Sequence, residues 1–146
     1  TSHVIRVAVS GASDDESAVG AGKAVVNSPL VKTAVCGNDP NVGRLAGAIG
    51  DWAGSAAPWL DPASVSVRVG GVEVLTGGVF RLDAAKEQRL SEYLRTAAFD
   101  PAMRGFPEHD RSVDIDVALG EGPGTAVVLG SDLSAEYVRE NADYRS

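Results

Sequence analysis

The chain has 146 residues, of which 44% are hydrophobic, and a formal net charge of −7 with a pI of about 4.7. This length and composition are typical of one globular domain, so residues 1–146 are interpreted as a single domain. The acidic balance argues against a nucleic-acid or anionic-membrane partner, and no apolar run approaches the ~20 residues that a membrane span needs. The single cysteine excludes an internal disulfide and fits a reducing compartment, so a cytoplasmic location is expected.

The first predicted elements are a strand and a helix. Apolar residues alternate over Val4–Val9, which predicts a half-buried strand. Ser13 and Glu16 have the spacing of a capping box, which predicts a helix that continues to about Asn27.

Two helix start–stop signals then follow one another, over Ser28–Gly37 and Asp39–Gly50. Each has a capping residue and a proline at its start and a glycine at its end. In the first segment the β-branched Val31, Thr33 and Val35 could equally form a strand edge, but Ser28-Pro29 favours a helix. Gly43 and Gly47 each cost about 1 kcal/mol relative to alanine in a helix, which suggests that a backbone comes close there. The turn between the two segments could also offer backbone N–H groups to an anion. Spacing alone, however, favours an ordinary capped helix–turn–helix with core glycines.

The second half of the chain predicts hairpins and two more helices. After a loop over Asp51–Pro62, alternating residues over Val65–Leu75 predict a hairpin that turns at Gly70-Gly71. Asp83 caps a helix with a clear apolar stripe. Two strands and a last helix from about Ser134 complete the order β-α-(α)-α-β-β-α-β-β-α. This order predicts an α+β fold, with a mostly antiparallel sheet and helices packed on one face.

Few side chains fall in a recognisable catalytic or metal-binding pattern. His3 and His109 fall in no metal-ligand spacing and are predicted to lie on the surface, so no metal site is expected. Cys36 is interpreted as a small core residue. Asp114 and Asp116, two residues apart on a predicted strand, are interpreted as part of its solvated face.

Two long sequence segments, which we call words, point to a protein family more specifically than any residue spacing does. Residues 27–44 read NSPLVKTAVCGNDPNVGR, and the chain closes on DLSAEYVRENADYRS. They resemble the NSPLVKTA…G-x-D-x-N-W-G-R and D-L-[ST]-x-x-Y-V-x-x-N-x-x-Y-[RST]-[ST] segments of the ornithine acetyltransferases, also called bifunctional glutamate N-acetyltransferases. The resemblance covers the whole chain. It departs at Val42, where the family has tryptophan, and at the long segment Phe99–Arg111.

The resemblance implies the C-terminal part of the second (β) chain of an N-terminal-nucleophile-type enzyme that cuts itself in two. Such an enzyme moves an acetyl group from N-acetylornithine to glutamate through an acyl-threonine intermediate. This chain would supply a wall of the substrate pocket and an assembly surface, while the nucleophile lies outside it. The implied partners are small-molecule amino-acid substrates and the upstream α- and β-chain segments of the same precursor, in a hetero-oligomer of processed chains. No cofactor is implied.

By the same resemblance, Asn141 and Ser146 map onto the family's substrate-binding residues. An amide offers donors and an acceptor to an amino acid, and a terminal carboxylate can pair with an ammonium group. Thr1 is a minor candidate nucleophile, because an N-terminal threonine can use its own α-amine as base. The family's M-A-T-[ML] neighbours are absent around it, so Thr1 is interpreted as the point where a longer chain was cut. No catalytic residue is therefore expected here.

Two alternatives remain open at this point. One is a non-catalytic small-molecule-binding or subunit-contact domain, which the departure at Val42 allows. The other is a related acyltransferase with a different amine substrate.

Overall fold

The computed structural model describes residues 3–97 and 112–132. The elements in chain order are β1 (Val4–Gly11), α1 (Asp15–Asn27), α2 (Pro29–Cys36), α3 (Val42–Ala56), a 3-10 turn (Pro62–Ser64), β2 (Ser66–Val69), β3 (Val72–Thr76), β4 (Val79–Phe80), α4 (Ala84–Ala97), β5 (Val113–Ala118) and β6 (Gly122–Ser131). None of the helices within these ranges is long and apolar enough to cross a membrane.

One six-stranded sheet of order β4-β3-β2-β5-β1-β6 forms the framework. Each neighbouring pair is antiparallel except β1 and β5, which run parallel with Ile5 opposite Val113. A parallel pair requires a long crossover connection, and here the chain between the two strands builds the helices and the β2–β4 meander.

The helices pack on one face of this sheet. Inward residues of β1 such as Ile5 and Val7 are fully buried, and α1 lies across β1 and β6. Leu90 of α4 shares a small cavity with side chains of α2, α3 and the sheet, so these helices lie on the same side. On the opposite face, Arg68 and Asp116 are exposed. The expected α+β class is confirmed.

Most local signals are confirmed. Gly70 and Gly71 turn the β2–β3 hairpin with φ of 58° and 81°, the left-handed values that a tight hairpin needs. Asp83 Oδ1 accepts a hydrogen bond from the Lys86 backbone N–H at 2.7 Å and so caps α4. Val42 is 3% exposed and shares the inward face of α3 with Leu45 and Ile49.

The limits of two helices differ from the prediction. Helix α3 continues to Ala56, so the first part of the expected loop over Asp51–Pro62 is helical and includes Trp52. Alanine has the highest helix propensity, and the next proline comes only after Ala56, so the helix has no reason to stop at Gly50. The caps also shift.

In both α1 and α3, the N-capping residue lies closer to the helix than predicted. Asp14 rather than Ser13 caps α1, accepting from the Ser17 N–H at 2.7 Å. Asn41 rather than Asp39 caps α3, accepting from the Arg44 N–H at 3.1 Å.

The prediction that another backbone comes close to the α3 glycines is wrong for the described residues. Both Gly43 and Gly47 are exposed, and a Cβ built on Gly47 would meet nothing within 4 Å. Gly22 of α1, by contrast, does need its small size, because an added Cβ would lie 2.6 Å from Val128 Cγ2.

Gly47→Ala is expected to raise the free energy of unfolding by about 0.5–1 kcal/mol, because it removes backbone freedom without a clash. Gly22→Ala is the matched helical control and is expected to lower stability, because the methyl group overpacks α1 against β6. Urea denaturation of both variants measures the difference. Destabilisation by Gly47→Ala would mean that another surface occupies the space beside α3.

Candidate functional site

The word at residues 27–44 folds into α2, a tight turn and the start of α3. Ser28 caps α2 through the Val31 N–H, at 3.3 Å. Asn38 occupies the left-handed region with φ of 57°, where asparagine is one of the few tolerated side-chain-bearing residues. The guanidinium of Arg44 donates to the Leu30 carbonyl at 3.0 Å and ties α3 back to α2. The word therefore encodes a helix–turn–helix with side-chain bridges.

The backbone amides of this turn are already used. Asn38 N–H donates to the Val35 carbonyl at 2.9 Å, and Asp39 N–H donates to the Ala34 carbonyl at 2.8 Å. These bonds satisfy the last carbonyls of α2, as a left-handed C-terminal cap does. The ordinary capped helix–turn–helix is confirmed, and the idea of an anion held by these two amides is wrong.

A groove of about 710 Å³ opens between the start of α3 and the outer face of α4, and we call it the α3–α4 groove. Its walls carry three carboxylates and one guanidinium above an apolar floor that includes Val42. The groove is lined by Asp39, Pro40, Asn41, Val42, Gly43, Phe80, Leu82, Ala84, Glu87, Gln88, Ser91, Glu92 and Arg95. Five consecutive lining residues belong to the family-like word, so that word shapes one wall.

Behind this groove lies a buried ion pair that connects the start of β1 to the end of β6. His3 is 1% exposed, so its predicted surface position is wrong. Its Nδ1 lies 2.7 Å from Asp132 Oδ2, and its backbone N–H donates to Asp132 Oδ1 at 2.8 Å. Both side chains are 0% exposed.

The other ring nitrogen of His3 reaches two more elements. Nε2 lies 2.9 Å from the Leu94 carbonyl of α4 and 3.0 Å from Asn38 Oδ1 in the α2–α3 turn. Burial would lower the pKa of His3, but the hydrogen bond and charge of Asp132, followed by Leu94 and Asn38, outweigh it and raise the pKa above 6.5. The surroundings of the ring thus favour its imidazolium form.

A signal for the burial of His3 exists in the sequence. His3 has the same parity as Ile5, Val7 and Val9, so it continues the inward face of β1. Its partner Asp132 is 129 residues away, and no local pattern connects the two.

The other predicted site residues are not brought together within the described residues. Thr1, Asn141 and Ser146 lie outside the described residues, as do His109 and the last helix expected from Ser134. Cys36 is half-buried at the end of α2. Within residues 3–97 and 112–132, no group of three His, Cys, Asp or Glu residues is placed to hold a metal ion.

The fold and groove define an α+β domain in which a capped helix–turn–helix forms one wall of a mixed polar and apolar site. Comparison with known proteins assigns this domain to a family. The model of the ArgJ family matches residues 1–146. The chain therefore belongs to the ArgJ family, which confirms the resemblance to the ornithine acetyltransferases.

Individual relatives agree with this assignment. The chain is 41% identical over 141 residues to the glutamate N-acetyltransferase Oat2 of Streptomyces clavuligerus, covering 97% of this chain and 32% of that protein. It is 39% identical to the arginine biosynthesis bifunctional protein ArgJ of Parasynechococcus marenigrum, covering 97% of this chain and 30% of that protein. The chain thus spans about a third of the length of these relatives.

A solved structure shares the fold. The crystal structure of the arginine biosynthesis bifunctional protein ArgJ from Bacillus halodurans matches with a TM-score of 0.72 and 32% identity. The match covers 97% of this chain and 58% of that chain. It supports the α+β fold described above for a member of this family.

Asp132→Ala and His3→Ala are each expected to lower the free energy of unfolding by about 3–5 kcal/mol, because each leaves one buried charge without its partner. The double variant should cost less than the sum, since it removes both charges. Urea denaturation of the complete double-mutant cycle measures the coupling.

The matched control is Glu92→Ala, which breaks the exposed ion pair with Arg95. That pair is 3.9 Å long, its side chains are 70% and 59% exposed, and its loss should cost less than about 1 kcal/mol. Additive costs of the His3 and Asp132 variants would contradict an interacting pair.

Proposed function

We propose that this chain is the C-terminal part of a glutamate N-acetyltransferase that moves an acetyl group from N-acetylornithine to glutamate through an acyl-threonine intermediate. In this proposal the chain supplies a wall of the substrate pocket and an assembly surface. The threonine nucleophile belongs to an upstream segment of an N-terminal-nucleophile-type precursor that is processed into two chains. The enzyme works in the cytoplasm as a hetero-oligomer of those processed chains.

The observation that carries the proposal is the family match over residues 1–146, which includes both distinctive words. A relative named glutamate N-acetyltransferase is similar over 97% of the chain. Because the chain spans only about a third of that relative, a partial role in the reaction fits better than the complete reaction.

The chemistry of the α3–α4 groove supports a role as a pocket wall. Asp39 and Glu87 are carboxylates suited to an ammonium group, and Arg95 is suited to a carboxylate. The apolar floor at Val42 and Leu82 suits an aliphatic stem. An amino-acid substrate carries all three of these chemical features.

Asn141 and Ser146 complete the proposed substrate contacts. The segment that carries them begins after Asp132, whose backbone N–H donates to the His3 carbonyl at 3.3 Å and whose side chain is bound to His3. Through Asp132, the chain is anchored to the sheet nine residues before the proposed amide contact of Asn141.

The isolated chain is expected to transfer no acetyl group, because the proposed nucleophile lies outside it. The measurement is mass spectrometry of the chain after incubation with N-acetylornithine, together with an assay for N-acetylglutamate. An acetyl group on Thr1 would overturn the assignment of the nucleophile to an upstream segment and identify Thr1 in its place.

In the assembled enzyme, Asn141→Ala is expected to weaken amino-acid substrate binding and leave self-cleavage intact. Loss of one hydrogen-bond partner leaves a substrate group unpaired at about 1–3 kcal/mol, which is a roughly ten- to hundred-fold loss in kcat/KM. Deletion of Arg145 and Ser146 should act in the same direction, because it removes Ser146, the second proposed substrate contact. Steady-state kinetics for donor and acceptor, with processed chains counted on a gel, measure both effects.

The matched control for this prediction is Asn27→Ala, which alters an exposed asparagine at the end of α1. Its kinetics should equal those of the unmodified enzyme. If Asn141→Ala and the deletion also leave the kinetics unchanged, the closing segment has no substrate role and a non-catalytic subunit-contact domain becomes the better description.

A further inference from the structure

The ring of His3 is surrounded by groups that accept hydrogen bonds. Asp132 Oδ2 faces Nδ1 at 2.7 Å, and the Leu94 carbonyl faces Nε2 at 2.9 Å. A backbone carbonyl has no proton to donate, and an ionised carboxylate has none either. Both contacts are satisfied together only when both ring nitrogens carry protons.

Loss of one proton therefore breaks a specific contact. The Asp132 carboxylate holds the Nδ1 proton most strongly, so Nε2 gives its proton to solvent and turns a lone pair toward Leu94 and Asn38. Rotation of the Asn38 amide would let it donate to Nε2, but the Leu94 carbonyl has no such option. A buried carbonyl is then left facing a lone pair, which costs free energy.

The contacts at Nε2 hold two walls of the α3–α4 groove. Asn38 directly precedes Asp39 of that groove, and its carbonyl also accepts from Ser91 Oγ at 3.0 Å. Leu94 lies one residue before Arg95 on α4. We propose that His3 and Asp132 form a proton-operated latch that holds the α2–α3 turn and the end of α4 against the sheet. This latch does not depend on the proposed transfer reaction.

The nearby charged residues of the turn, of the end of α4 and of β1 are exposed or lie on the other face of the sheet, so Asp132 is the direct counter-ion of the His3 ring. Asp39 of the turn is exposed, and Glu92 and Arg95 of α4 are exposed and lie within 3.9 Å of each other. On β1, Arg6 has the opposite parity to His3 and lies on the other face of the sheet. Residues of β6 before Asp132 carry no charge.

The direction of the pH effect follows from the raised pKa of His3. In the open state the ring has an ordinary pKa near 6.5, and in the latched state the pKa is higher. Below 6.5 both states are protonated, so the latch is fully effective and insensitive to pH. Between 6.5 and the raised pKa, only the latched state holds the proton, so latching weakens by up to about tenfold per pH unit.

The test is hydrogen exchange of the Asn38 and Asp39 amides by NMR from about pH 5 to about pH 9, with protection corrected for the intrinsic exchange rate. Protection should stay constant below 6.5, fall by up to about tenfold per pH unit above it, and then level off. The ¹⁵N shifts of the His3 ring should change from two protonated nitrogens to one across the same window. The Gly70 amide, which donates to Asp114 at 2.8 Å, is the internal reference and should not follow this curve.

Variants separate the titration from simple packing. Asp132→Asn keeps the shape but removes the charge, so the pKa of His3 in the latched state moves back toward 6.5 and the fall in protection above 6.5 should become smaller. His3→Gln removes the titrating ring and should abolish the pH dependence, while His109→Gln should retain it. Ser91→Ala removes a hydrogen bond that does not titrate, so it should lower protection equally at every pH.

Two results would overturn the latch. One is protection of Asn38 and Asp39 that does not change as the His3 ring titrates. The other is a His3 ring with one proton throughout the pH range in the folded protein.

Discussion

The sheet depends on β1 being paired on both sides by strands from the far end of the chain. β5 runs parallel to β1 and β6 antiparallel, so β1 connects β5, which pairs with the meander, to the last strand. Its inward residues Ile5, Val7 and Val9 are almost completely buried, and α1 packs over them. Because β1 and β6 are antiparallel neighbours, the first described residue of the chain and the last one are brought into contact, which creates the buried pair of His3 and Asp132.

Sequence reasoning succeeded where the deciding physics is local. Strand alternation, the Gly70-Gly71 turn and the Asp83 cap each depend on residues within a few positions of one another, and each is confirmed. The prediction ends α3 too early because it assigns the alanine and glycine residues after Gly50 to a loop, although packing on one face sustains the helix. The burial of His3 was missed because its partners come from α4, the α2–α3 turn and the end of β6, which only the folded chain brings together.

The distinctive words identify the family, yet the described part of them serves mainly to shape the chain. Ser28 and Asn41 cap helices, Asn38 makes the left-handed turn, and Arg44 bridges α3 to α2. These structural roles explain why such a word is informative about fold, and its position along the α3–α4 groove connects it to a site. The expected substrate residues Asn141 and Ser146 belong to the second word, which lies beyond the described residues, so their assignment stays a prediction.

The position of β1 in the sheet also has a consequence for biosynthesis. Of the six strands, β1 is synthesised first, and the strand that pairs with it in parallel, β5, is made roughly a hundred residues later. At about 5–20 residues per second, β1 waits on the order of ten seconds for its neighbours. During that time α1, which follows directly, can cover the apolar side of β1, but β5 and β6 do not yet pair with its two hydrogen-bonding edges. β1 is thus more exposed to pairing with other chains before β5 and β6 are complete, and a chaperone that shields a strand edge would help in that interval.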